Sequence, residues 1–239
     1  MSDIQYPSYS GGPSGAGPRS FGEIPSLWMK VTQMTEAWFA QEAPRASGSN
    51  TLVGVLIYAV AAAILTPIST MINQGVNNLL FASQVGDMGE LGGMGAGGSL
   101  VMVFCCSILI APLAFYIANG LYYLAAALLG GKGAFGTQAY LVSLFFVPLG
   151  IVSLLASLIP CLGGLISLAV GIYTIVLSVR AMKVVHSLTT GKAVVTVLWP
   201  LVLGLFLACC GAILTLALAG PAIGNVFSGI MEGIGTPVP

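Results

Sequence analysis

TQAYLVSLFFVPLGIVSLLASLIPCLGGLISLAVGIYTIVLSVRAMK, residues 137–183, runs without a single charge until Arg180. A helix rises about 1.5 Å per residue and the hydrocarbon core of a bilayer is roughly 30 Å thick, so about 20 apolar residues cross it. The stretch is twice that length, and it is interrupted only at Pro160-Cys161-Leu162, with Gly163-Gly164 after. It therefore reads as a hairpin of two membrane helices, Thr137–Ile159 and Gly163–Met182. Three further apolar segments flank it, Thr51–Ile72, Ser99–Leu129 and Val194–Ala219, and none of the five has Asp, Glu or Lys in its interior. Only helices and closed barrels satisfy their backbone in lipid. The fold expected is all-α: a polytopic bundle of five transmembrane helices.

Composition agrees. Of 239 residues 57% are hydrophobic and 6% charged, with a mean hydropathy of +0.99, whereas soluble domains carry about 25% charge. This excludes a freely soluble enzyme and a nucleic-acid binder built on a basic patch. The second segment, at about thirty residues or roughly 46 Å of helix, must tilt, protrude or break, and Pro112 and Asn119-Gly120 are its weak points.

The cations test the span count separately. With five crossings, all seven Lys and Arg (Arg19, Lys30, Arg45, Lys132, Arg180, Lys183, Lys192) fall on one side, while Asp87, Glu90, the Pro160 turn and Glu232 fall on the other. The positive-inside bias then puts the N-terminus in the cytoplasm and the C-terminus outside.

Residues 1–25, rich in Gly, Ser and Pro, read as a flexible cytoplasmic tail in which Tyr6 and Tyr9 stand out. Residues 26–44 change character. Leu27, Trp28, Val31, Met34, Trp38 and Phe39 recur at helical spacing, with Lys30, Gln33, Glu36 and Gln41 elsewhere. Seventeen residues from Ser26 to Glu42 are too few and too polar to span. They read as an amphipathic helix lying in the interface; the alternative is that its apolar face packs on the protein's own bundle. Residues 220–239 read as a C-terminal tail.

Site chemistry is sparse. Cys105-Cys106 and Cys209-Cys210 lie in apolar runs, Cys161 sits in a loop, and His186 is the one histidine, so neither a metal nor a cofactor is expected. No G-x-S-x-G elbow or H-E-x-x-H is present, and the membrane serines have no base beside them. The Gly92–Gly98 run lacks G-K-[ST] and reads as a loop; Gly130-Gly131-Lys132-Gly133 reads as a tight cytoplasmic turn. Ion-coupled carriers keep ionisable groups at membrane depth, and this chain has none there. Its amides Asn119 and Gln138 are expected to bond neighbouring helices. Small residues every fourth position, Gly163, Ser167, Gly171 and again Gly204, Ala208, Ala212, mark helix-packing faces, between spans or between copies in a homo-oligomer.

The second half of the chain carries a family likeness. Phe135-Gly136-Thr137-Gln138-Ala139-Tyr140, Pro148, Ile159-Pro160-Cys161-Leu162-Gly163-Gly164, Ile172-Tyr173, the loop Ala181-Met182-Lys183-Val184-Val185-His186-Ser187-Leu188 with Gly191-Lys192-Ala193, and Pro200 resemble the Yip family of Ypt/Rab-interacting membrane proteins. The likeness runs over about residues 26–215. It implies a five-helix membrane bundle with a cytosolic N-terminal region. The Asp-Leu-Tyr-Gly-Pro signature of eukaryotic members has no match here, which points to a prokaryotic-type member and leaves their Rab-linked role aside.

The function expected is a non-enzymatic membrane scaffold or adaptor, with a small-molecule or ion channel or carrier as the alternative. Trp28, Trp38, Arg180, Lys183, His186 and Lys192 are the candidate docking surface for a cytosolic or membrane protein partner, because K-x-x-H spacing puts Lys183 and His186 on one helix face. The blander reading of the same cations is orientation and contact with anionic lipid of the bilayer, at about 1 kcal/mol each.

Overall fold

The structure, a computed structural model, describes residues 18–81, 96–160 and 162–235, with side chains described for 18–76, 104–160, 162–215 and 217. Tyr6, Tyr9, the Asp87–Glu90 loop, the Gly92–Gly95 part of the glycine run, Cys161 and the last four residues lie outside the described residues.

Seven α-helices and no strand occur among the described residues. Two are short, α1 (Ile24–Trp28) and α2 (Glu36–Glu42), set among 3-10 turns. Five are long: α3 (Gly48–Phe81), α4 (Ala96–Leu128), α5 (Phe135–Ala156), α6 (Leu162–His186) and α7 (Thr190–Gly235). All five are long and apolar enough to cross a membrane, over Gly48–Val76, Phe104–Leu128, Phe135–Ala156, Leu162–His186 and Thr190–Thr215. The five-span expectation holds. The hairpin turns where the sequence puts it, and Gly163 lies under the Ala156 carbonyl, where a Cβ would not fit.

The chain divides into two compact units, residues 1–197 and 198–239. The first holds α1 to α6 and the opening turns of α7. At its centre is α5, 56% of whose span is buried against 11% for α4 and 17% for α6. It has apolar residues on every side, including Leu141, Val142, Leu144, Phe145 and Val147, as a helix buried all round must have. Packed against it are α3, α4 and α6. The second unit is the remainder of α7. The helix continues through residues read as a C-terminal tail as far as Gly235, the last described residue.

Three differences from the sequence expectations have local causes. In α4 neither Pro112 nor Asn119-Gly120 breaks the helix; the Asn119 amide donates to the Phe115 carbonyl one turn back. The amphipathic stretch is two short helices rather than one, because Thr35 caps a new start: its hydroxyl accepts from the Trp38 N–H at 3.3 Å. Its apolar face, Ile24, Leu27, Val31, Met34 and Phe39, is buried in the core of the bundle. The structured chain also begins before residue 26, because Arg19 is tied to Glu42.

Candidate functional site: the polar cap at the cation-rich end

The segment from Arg19 to Arg45 forms a cap over one end of the bundle. Its apolar contacts are supplemented by polar ties to α5 and α6. Arg19 grips Glu42 with two parallel bonds, Nε to Oε1 at 3.0 Å and Nη2 to Oε2 at 2.9 Å, and Tyr140 of α5 donates its hydroxyl to the same carboxylate at 3.1 Å. Glu42 is only 3% exposed. A buried carboxylate is tolerated when its lone pairs are filled in this way. The hydrogen bonds to Glu42 raise the Arg19 pKa above its ordinary value, against the opposing effect of burial. The Asn50 amide donates to the Arg19 carbonyl, fixing the cap to the first turn of α3.

Helix α6 supplies three more ties. Tyr173 donates to the Val31 carbonyl at 3.0 Å, Arg180 to the Met34 carbonyl at 3.1 Å, and Lys183 pairs with Glu36 at 2.5 Å. Met34 lies where α1 and α2 are separated, so the Arg180 bond satisfies a carbonyl that a continuous helix would have used internally.

Below the cap runs a buried polar chain. The Gly133 N–H donates to His186 Nδ1 at 3.2 Å, so that nitrogen carries no proton. Nε2 must then hold it and donate to Gln138 Oε1 at 2.8 Å. This orients the Gln138 amide, whose Nε2 donates to the Asn119 carbonyl at 2.7 Å. The α4–α5 turn that presents Gly133 is a Schellman end: Gly130 has φ +89°, its N–H bonds the Ala127 carbonyl, and the Gly131 N–H bonds Ala126. A Cβ on Gly131 would lie 2.9 Å from the Cβ of His186, and one on Gly133 would meet the Val185 carbonyl. The glycines are there because α6 passes against the turn.

The candidate docking residues are thus divided. Trp28 is half-buried beside Gly54, and Trp38 packs edge-on to Phe39 with ring centroids 5.3 Å apart. Arg180 and Lys183 hold the cap. His186 is 2% exposed and faces the α4–α5 turn, so as folded it offers nothing to a partner. Of the six, Lys192 is exposed, its Nζ donating to the Leu129 carbonyl at 2.9 Å. The packing residues divide too: Gly163 is buried inside the hairpin, Ser167 is half-buried, and Gly171 is open, while in the second unit Gly204, Ala208 and Ala212 are exposed.

The sequence reading missed the carboxylates. Glu23, Glu36 and Glu42 all pair with Arg19 or Lys183. Lys30, Arg45 and Lys132 have no ion pair among the described residues. The cap therefore pairs its acids, Glu42 buried, Glu36 half-buried and Glu23 exposed, and leaves positive charge at this end. Among the described residues no group of three or more His, Cys, Asp or Glu gathers to hold a metal.

The sequence matches the Yip1 domain over residues 37–211. The chain belongs to the Yip family. The matched region takes in α2 from its second residue, the long helices α3 to α6, and α7 as far as Gly211, so it contains Glu42 and the His186 chain, while Arg19, α1 and Glu36 precede it. No curated protein and no solved structure matches the sequence.

Proposed function

We propose that this Yip-family membrane protein is a non-enzymatic scaffold or adaptor whose cytoplasmic face is the capped, cation-rich end, with the N-terminus inside and the C-terminus outside a prokaryotic cell membrane. One observation supports this above the others: the described carboxylates at this end are each paired with Arg19 or Lys183, and the cations Lys30, Lys132 and Lys192 remain exposed, with Arg45 half-buried and without an ion pair among the described residues. Such a surface suits an acidic protein partner or anionic lipid. Exposed small-residue faces at Gly171 and at Gly204, Ala208 and Ala212 suit a second copy of the chain.

A channel or carrier is less well supported. The described buried polar groups of the spans, among them Ser69, Asn119, Gln138, Ser143, Ser178, His186 and Thr196, each make a bond within the protein. The test is crosslinking in cells, comparing wild type with a Lys30→Gln/Lys132→Gln/Lys192→Gln variant whose orientation is verified separately. Loss of a crosslinked partner supports the adaptor. An unchanged profile reduces the cations to orientation and lipid contact, and solute flux in liposomes containing the purified protein would replace the scaffold with a carrier.

A further inference from the structure

Helices α4 and α6 both flank α5 yet scarcely touch each other. Between them lies a cavity of about 380 Å³ whose floor is α5 at Phe146 and whose walls come from α3, α4 and α6. Interiors seldom leave voids larger than a water molecule, and small-molecule sites run from about 300 to 1,000 Å³. Most of its lining surface is apolar, with polar groups from Tyr58, Asn119, Tyr122, Thr174 and Ser178.

The shape is informative. Along α4 the lining runs from Ala111 to Tyr122, about 16 Å of helix axis, and Tyr122 is about 9 Å from the end of that helix at Leu128. The cavity is therefore a slot along the membrane normal, beginning near the cation-rich interface and reaching into the hydrocarbon. The polar lining is rich in donors. The Tyr58 and Tyr122 hydroxyls donate to no described group, and both remain reachable. Asn119 has one amide hydrogen on the Phe115 carbonyl and a second unassigned. Charged side chains are absent from the lining.

We propose that this slot takes up one acyl chain of a membrane lipid, with the chain's ester carbonyl accepting a hydrogen bond from Tyr122 and the tail running inward past Phe115 and Phe146. A long apolar slot fits a hydrocarbon chain, the free Tyr122 phenol near the cation-rich end asks for an acceptor while Tyr58 lies deeper, against Phe146 and Gly150, and the lack of charge excludes an ionised ligand from the slot itself. The surrounding bilayer supplies such a molecule at high concentration. This inference stands apart from the scaffold reading, since it concerns the bundle interior and not the outward cations.

The test uses the full chain in phosphatidylcholine vesicles containing phosphatidylcholine with a photoreactive diazirine in one ester-linked chain. On irradiation, labelling of 111–122 and 142–146 should exceed that of the exposed α6 face at Leu165 and Leu168 by about five-fold or more. Ala114→Trp, which fills the slot, should remove most of the excess while α6 labelling stays level. Tyr58→Phe/Tyr122→Phe keeps the volume and should abolish the preference for an ester-linked over an ether-linked probe. Even labelling of all lipid-facing helices overturns the proposal. So does an excess unchanged by Ala114→Trp, an ester preference that survives the double Phe variant, or a photoreactive residue at position 114 that crosslinks to protein instead of lipid.

Discussion

Replacing Gln138 by Leu isolates the buried chain beneath the cap. Gln138 is fully buried, accepts from His186 Nε2 at 2.8 Å and donates to the Asn119 carbonyl at 2.7 Å. Leucine fills nearly the same volume, so the packing cost is small. The His186 ring then loses its acceptor, and changing tautomer does not help: protonating Nδ1 instead orphans the Gly133 N–H that now donates to it. Either way one buried donor is unpaired, at about 1–3 kcal/mol. The Asn119 carbonyl remains inside a helix and adds less, so the expected loss is about 2–3 kcal/mol. For a chain of this size, that moves Tm down by about 4–12 °C. His186→Leu alone should cost a similar amount. In the double variant the pair's coupling, about 0.6–1.7 kcal/mol for hydrogen bonds between membrane helices, should be recovered. The assay is thermal unfolding in mild detergent for all four proteins. Additive losses, with coupling below about 0.3 kcal/mol, would falsify the assignment of the Gly133–His186–Gln138 chain.

Three other outcomes follow from the same geometry. Glu42→Gln should loosen the cap by about 1.5–3 kcal/mol, because two charge-assisted bonds from Arg19 weaken together; limited trypsin digestion at Lys30 should speed up relative to wild type, and equal rates would mean the apolar contacts alone hold the cap. Gly133→Ala should lower the yield of folded protein and cost at least about 1–3 kcal/mol, since its Cβ would meet the Val185 carbonyl, which cannot swing aside, as well as Val185 Cγ1; gel filtration in detergent reads it, and a normal monodisperse peak at full yield contradicts the contact. In a chain stripped of its other cysteines, Cys161 and a cysteine placed after Pro239 should label from outside, and Lys132→Cys and Lys192→Cys from inside; labelling of positions 161 and 192 from one side would rule out five crossings.

Hydropathy and the spacing of cations were enough to read the five spans, because both depend on residues next to each other in the chain. The apolar stripe Leu27, Val31, Met34, Phe39 was legible for the same reason, and these residues are the ones buried. Whether the stripe met lipid or protein was not legible, since that turns on distant groups. Lys183 and Glu36 are separated by 147 positions, and Arg19 and Glu42 by 23, with nothing in their local spacing to couple them. The K-x-x-H spacing did place Lys183 and His186 on one helix, but the two face different neighbours, the cap and the α4–α5 turn. His186 is buried because two glycines in that turn, Gly131 and Gly133, let α6 approach, which is visible only once both are in space. The slot between α4 and α6 left no trace in either sequence pattern.

The cap also has a history within each molecule's synthesis. It is made before any span, yet the groups that hold it, Tyr140, Tyr173, Arg180 and Lys183, are translated 98 to 147 residues after their partners. At about 5–20 residues per second the delay is on the order of 5–30 seconds. Throughout that interval Ile24, Leu27, Val31, Met34 and Phe39 have no bundle to cover them. The membrane surface is the nearest apolar phase, and an amphipathic segment of this kind is expected to rest there until then. Its final docking must wait until α5 and α6 are both inserted, so closure of the cap records that the hairpin is complete. A ribosome stalled before residue 180 would leave the segment on the lipid, open to proteases that recognise an unfinished membrane protein.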